Sequence, residues 1–199
     1  CFFMDLKVLG IEATEPTNDR ERICKDTFID EASLSHEQFA SREHLRDMNV
    51  MFSPVQSIRS VFDLMPQNSL EAWENIASRM EKIRGVLAGY RETLDKGRAE
   101  GLVTSERQVN GTAEQCEAWA GNGDNSPFFD SLVNALAASD INSDSLSARI
   151  ENASASATEA YDQMGEYLRE SYLPDATSID GVGRDRYVLS AKGYLGAEV

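Results

Sequence analysis

The chain has 199 residues, 34 of them acidic and 19 basic, for a formal net charge of -15. Hydrophobic residues make up 41% and charged residues 27%, the balance of a globular chain with its own core, which excludes wholesale disorder. So anionic a surface repels a nucleic-acid backbone and the headgroups of an anionic membrane, which excludes both as partners; solubility, or attraction of a cationic ligand, is left as the role of the charge.

The first residues, Cys1-Phe2-Phe3-Met4, are apolar but run at once into Asp5 and Lys7. That run is too short for a signal-peptide core and far too short to span a bilayer, so a cytoplasmic location is expected. Cys1, Cys24 and Cys116 are odd in number and scattered, which fits neither a disulfide framework nor a zinc knuckle and reads as reduced thiols. From Asn18 to about Glu43 the chain reads as helix, with Ile23, Phe28, Ala32 and Phe39 as partial core. The stretch from Asn49 to Ile58, around Pro54, reads as irregular.

Between Ser69 and Arg98, Leu70, Trp73, Ile76, Ala77, Met80, Ile83, Val86, Leu87, Tyr90 and Leu94 recur at threes and fours, which predicts one long helix with a single apolar face. Ser69 is its natural N-cap and Gly101 its stop. Ser105 to Ala120 is a further helix, with Val109, Ala113, Cys116 and Ala120 on one face. The Gly121–Asn125 run is a turn, and Ser126-Pro127 signals the start of a helix reaching Ala138. From about Ser143 to Leu173 a second long stripe is rich in alanines (Ala153, Ala155, Ala157, Ala160) that would let another helix approach closely, and Pro174 ends it. After the Asp180–Gly183 loop, a short helix covers Arg184 to Leu195. Two glycosylation sequons, at Asn110 and Asn152, fall inside expected helices. No alternating strand pattern and no internal repeat occurs, so the expectation is an all-α bundle of long antiparallel helices forming a single helical domain over residues 1–199.

Candidate chemistry is sparse. His36-Glu37 begins like the zinc-peptidase helix motif, in which two histidines four apart grip a metal and the glutamate activates its water. Position 40 is alanine, however, and His44, the other histidine, lies roughly 12 Å along a helix from His36, too far for one zinc. Asp124-Asn125 lacks the alternating oxygen ligands and closing glutamate of a calcium loop. Gly181-Val182-Gly183 follows no strand and precedes no lysine, so it is not a phosphate loop. Beyond it, Arg184, Arg186, Tyr187 and Tyr194 form a basic and aromatic patch on an acidic chain. It reads either as surface ion pairs at a helix start or as a clamp for a carboxylate. No serine or cysteine nucleophile is identifiable, and paired carboxylates are too abundant here to discriminate.

The series His44-Leu45-Arg46-Asp47-Met48-Asn49, Ser53-Pro54-Val55-Gln56-Ser57-Ile58-Arg59 and Phe62-Asp63-Leu64-Met65-Pro66 resembles the N-terminal half of the bacterial proteins grouped as domain of unknown function 885. The likeness continues through Trp73, Arg79-Met80, Gly89-Tyr90-Arg91, Arg107-Gln108-Val109, Tyr172-Leu173-Pro174, Asp180–Arg184 and Tyr187, over roughly positions 18 to 199, in an actinobacterial variant. That family is similar in fold to helical zinc carboxypeptidases of the carboxypeptidase Taq type, whose metal motif lies in a C-terminal half that this chain does not reach. The resemblance therefore implies a fragment of a longer, metallopeptidase-like protein. This chain would be the non-catalytic N-terminal portion, one wall of a substrate cleft, with no metal ligand or cofactor of its own and zinc left to the longer parent. Arg184 and Tyr187 are the implied contacts to a peptide substrate. The alternative is a stand-alone helical binding or scaffold protein without enzymatic activity. Helix faces left uncovered by a missing half would favour self-association.

Overall fold

The computed structural model describes residues 10–195; the apolar start at residues 1–4 and the last residues, 196–199, lie outside the described residues. The described chain gathers into two compact units, residues 10–44 with 181–195, and residues 45–180. Eight helices carry it: α1 (Asp19–Ala40), α2 (Pro54–Leu64), α3 (Leu70–Met80), α4 (Ile83–Ala99), α5 (Glu106–Ala120), α6 (Asp130–Ala137), α7 (Asp144–Tyr167) and α8 (Arg184–Leu195). Among the described residues the single extended pairing is an isolated bridge between Ser105 and Thr177, so the fold is the expected all-α bundle.

Helix α7 is the axis of the unit 45–180. Leu146, Ile150, Ala153, Ala157, Ala160, Tyr161 and Met164 recur at threes and fours and are all buried. Helix α5 packs against it in the opposite sense: Gly165 faces Cys116, while Trp119 meets Tyr161 edge to face with centroids 5.5 Å apart. A Cβ at Gly165 would stand 3.2 Å from Glu117 Cγ and 3.5 Å from Cys116 Cβ, so the close approach at this point rests on Gly165; of the alanines, Ala155 is exposed. Helix α4 runs along α7 in the same sense, from the Glu81–Arg149 pair just before it to the Tyr167 hydroxyl, which donates to Asp95 at 2.7 Å, and α3 also packs on α7.

The stripe from Trp73 to Leu94 is buried as its spacing predicts, but one uninterrupted helix from Ser69 to Arg98 is not what forms. It breaks at Glu81–Lys82, where the Lys82 N–H bonds the Arg79 carbonyl at 3.1 Å in a tighter, three-residue turn. No proline marks the place. Met80 and Ile83 on either side are both buried, and Glu81 between them is gripped by Arg149 of α7 at 2.7 Å, so packing sets the break.

The other long helix also departs from the expectation. Instead of continuing to Leu173 it widens into a π turn, Leu168–Tyr172, whose closing bond runs from the Leu173 N–H to the Leu168 carbonyl. A 3-10 turn over Leu173–Asp175 then absorbs Pro174. The wide turn buries both Leu168 and Tyr172 and lets the Tyr172 hydroxyl accept the Thr104 N–H at 3.1 Å. Two helix starts need correction as well. Helix α6 begins at Asp130 rather than Pro127, because Phe128 N–H is tied to the Trp119 carbonyl at 2.9 Å and Phe129 is drawn into the core. Helix α2 begins at Pro54, inside the stretch read as irregular.

Candidate functional site

Helix α8 carries the two residues singled out as substrate contacts. It packs on α1 in the unit 10–44 with 181–195, where Ala32 and Ala191 are the buried apolar residues. Lys192 bonds Glu37 of α1 at 2.9 Å, and Arg186 bonds Glu43, in the short turn beyond α1, at 2.7 Å. Arg42 lies at φ 62°, in the left-handed region that a residue with a Cβ rarely adopts, in the turn that carries the chain from α1 to Glu43 and His44.

The basic and aromatic patch therefore divides. Arg186 belongs to the contact with Glu43. Arg184 and Tyr187, three residues apart and so on one face, stand in solvent, Tyr187 at 57% exposure, with no side-chain partner among the described residues. Tyr194, at 91% exposure, is also free of the helix pair. The residues reminiscent of a zinc helix are engaged in packing: Glu37 with Lys192, and the His44 ring stacked on Phe39 with centroids 4.6 Å apart and planes 10° from parallel. Among the described residues no three of His, Cys, Asp and Glu stand close enough together to hold a metal ion.

A second feature, not anticipated from sequence, is the loop from Asn49 to Ser53. The Asn49 side-chain oxygen accepts the Met51 and Phe52 N–H groups at 2.8 and 2.7 Å. Gln108 of α5 accepts the Val50 N–H at 3.0 Å, and one turn-pair further along the same helix Gln115 donates to the Val50 carbonyl at 2.9 Å. Gln56 donates to the Asn49 carbonyl at 3.0 Å and accepts the Ser53 N–H at 2.9 Å, the return half of a capping box on α2. Gly111 leaves the space that Val50 fills, since a Cβ there would lie 2.6 Å from Val50 Cγ1. Four neutral amide side chains thus fix one short loop, whose tip residues Met51 and Phe52 are 66% and 77% exposed. The signal in the sequence was Ser53-Pro54-Val55-Gln56, together with two glutamines seven apart on one helix face.

The ionisable groups of the unit 45–180 are held in structural forms. Burial pushes the Tyr90 and Tyr161 phenols up, so both remain donors, to the Asp47 carbonyl at 2.6 Å and the Val55 carbonyl at 2.9 Å. Burial likewise pushes the Cys116 thiol up to about 12, which keeps it protonated and unreactive. Glu117 is held below the usual carboxylate range by its hydrogen bond from Arg169, at 2.8 Å, so it serves as a fixed anion rather than a proton donor.

What the fold defines is an all-α protein. The family described as bacterial protein of unknown function (DUF885) matches residues 5–199, and the chain belongs to that family. A search of curated proteins found no match to the chain. No helix of the described residues is long and apolar enough to cross a membrane.

Proposed function

We propose that this chain is the non-catalytic N-terminal portion of a metallopeptidase-like protein, its helices forming one wall of a substrate cleft. In this reading the metal, zinc, is held by residues of a C-terminal half, and Arg184 with Tyr187 receives a peptide substrate. The observation that carries the proposal is the state of the zinc-helix remnant: Glu37 is bonded to Lys192 at 2.9 Å and His44 is stacked on Phe39. Both groups are therefore engaged in helix packing, and a water-activating base has to come from elsewhere. Arg184 supports the substrate contact, because an exposed guanidinium without a partner can bind a carboxylate through two parallel hydrogen bonds. The resemblance to carboxypeptidase Taq-type enzymes supplies the reaction class.

The test is zinc content by atomic absorption and peptide hydrolysis by the isolated chain, beside the same assays on any longer reading frame that continues past Val199. The chain alone is expected to hold no stoichiometric zinc and to release no amino acid, while the longer protein does both and loses substrate affinity on Arg184→Ala. Tightly held zinc or turnover in the isolated chain overturns the proposal. A second reading, a binding or scaffold protein, is favoured by the exposed side chains Ile23, Phe39, Tyr187 and Tyr194 on α1 and α8. An inactive longer protein, or a natural stop after Val199, would select it.

A further inference from the structure

We propose that the groove bordered by α2, α3 and α4 docks a helical peptide segment of a partner protein that presents apolar side chains flanked by carboxylates. The groove has a volume of about 200 Å³. Phe62 and Ile83, 3% and 2% exposed, form its floor, and Ile58, Val61 and Val86 its walls. Its rim carries Arg79 and Lys82, both exposed.

Size and charge together decide the class of occupant. Pockets for small organic ligands run from roughly 300 to 1,000 Å³ and enclose most of the molecule. This groove is smaller and open, which suits one or two side chains projecting from a partner's backbone. The charge is more selective. Elsewhere in the same unit five arginines are matched to carboxylates, Arg84 to Glu159, Arg98 to Asp175, Arg107 to Asp180, Arg149 to Glu81 and Arg169 to Glu117, while Arg91 lies over the Tyr167 ring. Arg79 and Lys82 form no such ion pair among the described residues; the nearby Glu81, which interacts with Lys82, is itself bonded to Arg149. In a chain with 34 acidic residues against 19 basic ones, two exposed cations outside any ion pair beside an apolar groove leave an anionic, apolar occupant as the complement.

Local structure places them there. The break between α3 and α4 gives Glu81 to Arg149 of α7, whereas Arg79 and Lys82, three residues apart on the stretch that spans the break, both line the groove. An apolar floor gives nothing to a polynucleotide backbone, and a purely apolar occupant would leave both cations unanswered. An amphipathic helix with leucines at helical spacing and glutamates beside them satisfies both halves.

The experiment uses two fluorescein-labelled synthetic peptides, a Leu/Glu amphipathic helix and its Leu/Lys counterpart, titrated with the full 199-residue chain and read by fluorescence anisotropy. The Leu/Glu peptide is expected to bind and the Leu/Lys peptide not. R79E/K82E should weaken the first at least about tenfold and create binding of the second, because rim charges set discrimination. V61S should weaken the Leu/Glu peptide without restoring the Leu/Lys one. All three positions are exposed or partly buried, and circular dichroism checks that the variants fold. Equal binding of the two peptides, no binding of the Leu/Glu peptide, or binding indifferent to R79E/K82E overturns the proposal. A sedimentation mass showing a dimer that R79E/K82E dissolves gives the groove to a second copy of this chain, and overturns it as well.

Discussion

The two compact units reach the same secondary structure by opposite means. Residues 45–180 surround α7 with large side chains that are fully buried, among them Trp73, Tyr161, Tyr172 and Phe129. In residues 10–44 with 181–195 the buried apolar residues are Ala32 and Ala191, and the carboxylate–cation contacts Lys192–Glu37 and Arg186–Glu43 join α8 to α1 and the short turn beyond it. Burying a large apolar side chain contributes on the order of 1.5–3 kcal/mol, whereas an exposed ion pair contributes about 0–1 kcal/mol. The first unit is therefore a scaffold that dictates its own geometry. The second has no such core among its described residues and depends more on polar contacts.

The comparison breaks most easily at Trp73. Its ring is fully buried and its indole N–H donates to the Gln67 carbonyl at 3.0 Å. Trp73→Ala should remove about 3–5 kcal/mol from the unit 45–180, measured by urea denaturation with circular dichroism. A loss below about 1 kcal/mol would mean that this unit is not core-driven. Next comes Arg169→Met, which frees Glu117. Because the folded carboxylate titrates below its usual value, the pair stabilises at neutral pH and that stabilisation is lost as pH falls through the folded value. Wild type should thus exceed the variant by about 1 kcal/mol near pH 7 and converge with it in acid. A gap that ignores pH would assign the loss to packing instead. The smallest effect belongs to Lys192→Ala. With side chains 32% and 49% exposed, the Lys192–Glu37 pair should contribute under about 1 kcal/mol and fade with added salt. Hydrogen exchange of the α8 amides reads this, and salt-independent protection would show the contact to be apolar after all.

Much of this architecture can be read from side-chain spacing, because a helix buries one face and the face recurs every three or four residues. The stripes of α3, α4 and α7 are of that kind, and the hydroxyl of Ser69 marked its cap. What periodicity does not reveal is where a backbone ladder slips. Met80 and Ile83 keep the apolar phase across the break at Glu81–Lys82, and the cause, Arg149, is 68 residues away in sequence. The start of α2 was legible but overlooked: Ser53-Pro54 with Gln56 is a capping box in one line of sequence. The division of the Arg184–Tyr187 patch was not legible, since only the fold brings Glu43 to Arg186 and leaves Arg184 unmatched.

The π turn at Leu168–Tyr172 has a consequence for how the end of α7 can change over time. Such a turn holds one residue more than an α-helical path would need, and each residue rotates the helix by about 100°. Excising a single residue here would remove the wide turn and restore regular winding, because the turn absorbs that residue while the segments on either side keep their phase. A one-residue deletion within Leu168–Tyr172 should therefore disturb the fold less than the same deletion inside Asp144–Tyr167, where it would turn the buried stripe by about 100°.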